Sequence, residues 1–187
     1  MDQTSPPYQV ETDRLILRRM TDSDAPIVQS VIEPAIPTLR PWISWTRHEN
    51  TLEYNQLRIR EYESDWKTDK NYCYLALAKD SGQAIGMMGL YGVNRKLRYA
   101  HIGYWVTPLA AGKGYATEAL NYLFQVGKDD LGLDRIAVLC DDRNEKSAAV
   151  AKRAGFTLEG IMRQDWLEED GTLSNTMVFS KVRGVEF

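Results

Sequence analysis

The hydrophobic period changes twice between Tyr72 and Cys140, and this restricts what the chain can fold into. YCYLALA (72–78), AIGMMGLYGV (84–93) and YAHIGYWV (99–106) read as three strands, the first two joined by KDSGQ, a turn with an obvious glycine. Residues 115–127 switch to helical spacing, with Ala116, Ala119, Leu120, Leu123 and Phe124 on one face. DRIAVLC (134–140) returns to a strand, and its nearly unbroken apolar run is the pattern expected when both faces are covered. Strand 99–106, helix 115–127 and strand 134–140 form a βαβ unit that follows a meander. The expected fold class is therefore α/β, a single mixed, mostly antiparallel sheet flanked by helices.

The rest of the chain extends this plan. RLILRRM (14–20) reads as a first strand, and TDSD (21–24) has a capping-box pattern that opens a helix to about Glu33. TRHE (46–49) repeats that pattern before a longer helix over about 47–65, with Leu52, Gln56 and Ile59 at helical spacing. A last helix is expected from about Asn144 to Ala154, stopped by Gly155, followed by a C-terminal hairpin around EEDG. Residues 1–11, with two adjacent prolines, read as a frayed tail before a domain spanning 12–187.

Several function classes are disfavoured. No apolar run approaches the ~20 residues of a membrane span, and MDQTSPPYQVETDR lacks the basic start and apolar stretch of a signal peptide. Cys73 and Cys140 lack metal-type spacing, so free thiols in a cytoplasmic protein and no metal site are expected. A formal charge of −3 argues against binding nucleic acid through its phosphates. Either a monomer or a homodimer is compatible with these features.

AAGKGYATEAL (110–120) places Gly112 and Gly114 just before a helix, at the first strand-to-helix turn of the βαβ unit. Such glycines can simply make a turn. They can also let backbone N–H groups converge on an anion at the helix N-terminus. The loop is no Walker A motif, and Thr117 stands where a dinucleotide fingerprint would have its third glycine. Ligands of α/β sheets gather outside the carboxyl ends of strands, which favours the anion.

The chain resembles the GCN5-related N-acetyltransferases, and within them the RimJ/RimL group of ribosomal-protein N-terminal acetyltransferases. Four features carry the resemblance in order along nearly the whole chain: Arg-Leu-x-Leu-Arg at the start, Ile-Gly-Tyr-Trp before the loop, Gly-x-Gly-Tyr-Ala-Thr-Glu-Ala in it, and Asn-x-x-Ser ending in Ala-Gly-Phe. The resemblance implies acetyl-CoA as cosubstrate, with its pyrophosphate held by Ala111, Gly112, Lys113, Gly114, Tyr115, Ala116 and Thr117. Ala111 stands where Arg or Gln is usual, so backbone amides remain but a side-chain contribution is lost. The resemblance further implies that strand 99–106 splays from the strand near 134, with pantetheine in the gap against the backbone of Trp105, Val106 and Thr107. Gly103 suits a close backbone approach there, and Tyr104 and Trp105 must point to opposite faces.

Acetyl transfer needs the amine deprotonated and the leaving thiolate protonated. Asn144 reads as a helix N-cap, and the resemblance makes it a cofactor contact with Ser147 as general acid. His101 is the candidate base, because imidazole titrates near neutral pH. Asp165, Glu159 and Glu168 are its rivals, beside a water relay; His48 reads as a surface residue at a helix start. In LRPWISW (39–45), Trp42 and Trp45 either wall the acceptor pocket or anchor the core. The pocket reading is preferred because the segment lies between helices that cover the acceptor side in the family. Asp165 joins them as a candidate substrate contact. The acceptor itself is expected to be a ribosomal or other protein N-terminus. A small amine, such as a polyamine or aminated antibiotic, and a non-catalytic acetyl-CoA-binding module are the alternatives. An acidic cluster for a polycation would have to come from residues 168–170.

Overall fold

A computed structural model describes residues 5–168 and 170–187. Its elements run β1 (Gln9–Glu11), β2 (Leu15–Arg19), α1 (Ala25–Ile32), α2 (Ile36–Leu39), α3 (Leu52–Lys67), β3 (Tyr72–Ala78), β4 (Ala84–Asn94), β5 (Tyr99–Val106), α4 (Tyr115–Gln125), β6 (Arg135–Asp141), α5 (Glu145–Arg153), β7 (Thr157–Leu167) and β8 (Leu173–Val182). They form one eight-stranded sheet in the order β1-β2-β3-β4-β5-β6-β8-β7. Among the described residues β5–β6 is the only parallel pair.

Each face of the sheet is covered by its own helices. Ala119, Leu120, Leu123 and Phe124 of α4 and Ala148 and Ala151 of α5 pack with Ile102, Ile136, Val138 and Phe179. Val28 and Ile32 of α1 and Ile59 of α3 pack with Cys73, Leu75, Met87 and Trp105 on the other face. This second helical layer ends at β5, which leaves the same face of β6, β8 and β7 open. Leu139 of β6 is 37% exposed for that reason. The expectation that β6 is covered on both faces therefore fails beyond Ala137, where Leu139 stands on the open face.

Two boundaries differ from the sequence reading. Residues 9–11 are a strand because the Arg19 N–H donates to the Tyr8 carbonyl at 2.7 Å and the Tyr8 ring packs between Trp66 and the Arg19 guanidinium. Residues 1–4 of the expected tail lie outside the described residues. The TRHE pattern does not cap a helix: Thr46 sits in a 3-10 turn (Ser44–Arg47), and its hydroxyl donates to the Ile43 carbonyl at 2.6 Å. The helix starts instead after Thr51, whose Oγ1 accepts from the Tyr54 N–H. The C-terminal hairpin turns through Gly171 at φ 83, and Glu169 of EEDG lies outside the described residues.

Thr51→Ala should cost about 1 kcal/mol, the usual value of an N-cap. Urea unfolding should show a lower midpoint with an unchanged slope.

Candidate active site

β5 and β6 pair only at Tyr99–Arg135, Ala100–Ile136 and His101–Ala137. Beyond them β5 continues to Val106 and β6 to Asp141 without meeting. Inner backbone groups on both strands thus lack a ladder partner, a template for an extended ligand. The Thr107 N–H donates outward to the Ile85 carbonyl at 2.7 Å. Because strand amides alternate in direction, Trp105 also faces β4, while Tyr104 and Val106 turn their N–H and C=O groups into the gap. Of the three residues expected to offer backbone there, Val106 does so, and Trp105 and Thr107 face the other way.

α4 begins at the carboxyl end of this gap. Gly114 is its N-cap at φ 82, with no side-chain cap, and Gly112 is also left-handed at φ 75. A Cβ on Gly112 would touch nothing, so the backbone path and not lack of room calls for glycine. Helical bonding starts with the Glu118 N–H to the Gly114 carbonyl, so the amides of Tyr115, Ala116 and Thr117 precede the ladder. Thr117 Oγ1 is buried without a partner. An uncapped helix N-terminus with an orphaned hydroxyl in its first turn fits a pyrophosphate. Ala111, Gly112 and Lys113 form the exposed approach to it.

Arg14 was not identified as a site residue from sequence, yet it holds this turn. Its Nε lies 2.6 Å from Glu118 Oε2, its Nη1 donates to the Lys113 carbonyl at 2.8 Å, and its guanidinium covers the Tyr115 ring. Glu118 also accepts from the Thr12 hydroxyl and the Arg14 N–H. Burial alone would raise the Glu118 pKa, but these bonds outweigh it and hold the carboxyl below its usual value. The opening Arg-Leu-x-Leu-Arg motif was the available signal; nothing local linked it to a loop so distant in sequence.

His101 is the last residue of β5 paired to β6. Its ring stacks on Tyr91 with centroids 6.0 Å apart, and burial lowers its pKa, so the imidazole is neutral near pH 7. Gly103 makes room for Tyr91, not for a ligand: a Cβ there would lie 3.1 Å from Tyr91 Cε2. The Tyr91 hydroxyl donates to Cys73 Sγ at 3.1 Å, which fixes the ring's far end.

The other face of β5 carries a second polar pair. Tyr104 Oη lies 3.1 Å from Ser147 Oγ and donates to the Ser147 carbonyl at the same distance. Asn144 caps α5, its Oδ1 accepting from the Ser147 N–H at 3.1 Å. Burial pushes the Tyr104 hydroxyl up to about 12, against a smaller opposing effect of the Ser147 bond. It therefore stays protonated. Strand alternation put Tyr104 and Trp105 on opposite faces in the sequence, but nothing local showed that Tyr104 meets Ser147.

The rival bases are engaged elsewhere or remote. Arg135 and the Ser180 hydroxyl hold Glu159 down to about 2, too low for a useful base near neutrality. Glu168 is paired with Arg47 and Arg143, so it does not serve as part of an acidic pocket at 168–170. Asp165 lies exposed on β7. The two tryptophans separate: Trp42 is 40% exposed, whereas Trp45 packs against Trp105 with ring centroids 6.1 Å apart. His48 is exposed, its ring tilted against that of Tyr54 with centroids 5.2 Å apart.

Residues 14–157 match the family model of the acetyltransferase (GNAT) domain. The chain belongs to the GNAT acetyltransferase family. As a GNAT protein it is an N-acetyltransferase, like its relatives. It is 29% identical to the uncharacterized N-acetyltransferase YoaA of Bacillus subtilis (strain 168) over 93% of this chain and 96% of that one. The ribosomal-protein-serine acetyltransferase of Escherichia coli (strain K12) is 28% identical over 51% of this chain and 53% of its own. A structure of RimL, a ribosomal L7/L12 alpha-N-protein acetyltransferase in complex with coenzyme A, superposes with a TM-score of 0.86 at 20% identity, covering 93% of this chain and 97% of that one. The last shows the shared GNAT fold. No helix among the described residues is long and apolar enough to cross a membrane.

Gly114→Val should abolish detectable coenzyme A binding in calorimetry while far-UV circular dichroism stays near wild type. A branched Cβ is strained at φ 82 and distorts the turn that Arg14 secures. Equal affinity in the two proteins would remove the loop from the site. Ala111→Gln should tighten binding or leave it unchanged.

Proposed function

We propose that this N-acetyltransferase takes its acetyl group from acetyl-CoA and delivers it to the N-terminal amine of a polypeptide, a ribosomal protein being the first candidate. The observation that carries the reading is the divergence of β5 from β6 with a neutral imidazole on one face and a protonated hydroxyl pair on the other. When bound, acetyl-CoA supplies the thioester.

The chain's own residues divide the remaining tasks. The amides of Tyr115, Ala116 and Thr117, with the Thr117 hydroxyl, hold the pyrophosphate at the α4 N-terminus, and the Arg14–Glu118 pair keeps that turn in place. Backbone groups of Tyr104 and Val106 align an extended chain in the gap. His101 Nδ1 or Nε2 takes the proton of the incoming amine, the tautomer following from which nitrogen is free. Tyr104 Oη and Ser147 Oγ deliver a proton to the departing sulfur, and Asn144 fixes Ser147 for this through the α5 N-cap. Two neutral hydroxyls are weak acids, so this donation contributes modestly. Trp45 walls the amine's approach.

A protein acceptor suits the open groove. The strand register puts Leu139, Val178 and Met162 on the face that carries His101, and Leu139 and Met162 are exposed. That floor accommodates an extended segment. A polyamine acceptor would need free carboxylates beside the gap, and Glu159 and Glu168 are ion-paired. Acetyl-CoA turnover against N-terminal peptides, polyamines and aminoglycosides tests the assignment: peptides should be preferred, and a polyamine turned over faster than any peptide would overturn it.

The base has a pH signature. The ascending limb of kcat/KM should lie below 6.5, the ordinary histidine value, because burial favours the neutral ring. His101→Ala should lower kcat by about 100-fold or more and flatten that limb. An unchanged limb in the variant assigns the proton to another group.

A further inference from the structure

Arg58 is buried, 6% exposed, in the middle of α3. A guanidinium stays charged at any physiological pH, and a charge taken out of water ordinarily meets a carboxylate. Arg18 is paired with Asp24, Arg95 with Asp69 and Arg135 with Glu159. Among the described residues no carboxylate pairs with Arg58. Its one hydrogen bond among the described residues runs from Nη2 to the Tyr62 hydroxyl at 3.0 Å. The flat face lies 3.6 Å from the Trp45 ring centroid, and Tyr54 and Tyr62 stand within 5.9 and 5.7 Å. Stacking satisfies the faces of a guanidinium but not its in-plane N–H donors.

A second buried group lines the same cleft, between the end of α1, the Ser44–Arg47 turn and the start of α3. Asn55 is fully buried one turn before Arg58. Its Nδ2 donates to Asn50 Oδ1 and to the Thr51 carbonyl, while its Oδ1 has no partner. Glu33, near the rim, is bonded by Asn50. Arg58 thus keeps unused cationic donors and Asn55 an unused neutral acceptor, but the cleft has no room for a water molecule and Asn55 Oδ1 is sealed from solvent, so a ligand reaches them only if the Ser44–Arg47 turn moves off α3. A carboxylate with an N–H group beside it is complementary to both. Trp45 ties this cleft to the reaction centre: its ring carries Arg58 and also touches Trp105 of β5.

We propose that Arg58 and Asn55 form a carboxylate-recognition subsite of the acceptor pocket, selecting polypeptide N-termini with an Asp or Glu among their first few residues. Arg58 receives the acidic side chain, Asn55 Oδ1 accepts a peptide N–H, and Trp45 separates this contact from the reacting amine. The proposal rests on the polypeptide reading of the acceptor.

The test compares peptides that differ only by Asp against Asn, or Glu against Gln, at positions two to four. Wild-type protein should favour the acidic member by about tenfold in kcat/KM, mainly through KM, as expected for a charge-assisted pair. Arg58→Met should lower kcat/KM for the acidic peptide about tenfold more than for its amide partner, and Arg58→Lys should restore part of the preference. Equal turnover of acidic and amide peptides by wild type overturns the subsite, and that comparison requires no variant to fold. Equal losses for both peptides in Arg58→Met assign Arg58 a purely structural role and also overturn it. If small amines are turned over and neither peptide is, the polypeptide acceptor itself falls and the subsite with it; this pattern differs from turnover of both peptides without preference.

Discussion

The site depends on one parallel strand pair coming apart. β5 and β6 are joined for three residues and then diverge, although each is long enough to continue the ladder. Each unmade backbone bond forfeits about 1 kcal/mol, so the divergence needs support. It comes from the outer neighbours. β5 stays paired to β4 as far as Val106–Gly86, and β6 stays paired to β8 as far as Asp141–Thr176. Two rigid half-sheets therefore flank the gap. Residues on the two faces of β5, Tyr91 over Gly103 and Tyr104 against Ser147, hold its divergent segment in place.

Charge organises the periphery of the gap. At the α4 N-terminus Arg14 and Glu118 connect the start of β2 to the glycine loop and α4. At the β7–β8 hairpin Glu168 receives Arg47 from the Ser44–Arg47 turn and Arg143 from the segment before α5, while Arg143 also meets Asp141 at the end of β6. Exposed pairs of this kind add little stability singly. Their consequence is geometric: they tie the hairpin tip to the Ser44–Arg47 turn and to the end of β6. Arg58 stays a buried cation without an ionic partner among the described residues.

Legibility in the sequence followed the range of the interaction. Strands 72–78, 84–93 and 99–106, the α4 helix and the Asn144 cap of α5 were readable because periodicity and capping are local. Gly112 and Gly114 were readable for the same reason, their left-handed backbone being a property of a few residues. Thr46 and Thr51 show the limit. Both precede helix formers, yet Thr46 is buried in a 3-10 turn and only Thr51 caps. Burial made that choice, and burial is not local.

The sequence by itself determined the order of elements, the mixed sheet and the position of the glycine turn before α4, since each follows from backbone preferences and hydrophobic spacing within short windows. Tertiary structure decided which side chains meet. It brought Arg14 onto Glu118, set Tyr104 on Ser147, drew Glu159 onto Arg135 and left His101 half-buried and neutral. It also separated Trp42, on the surface, from Trp45, against Trp105. The physical reason is that a side chain's pKa and partners depend on desolvation and on contacts between distant segments, and these exist only once the sheet and its two helical layers have closed.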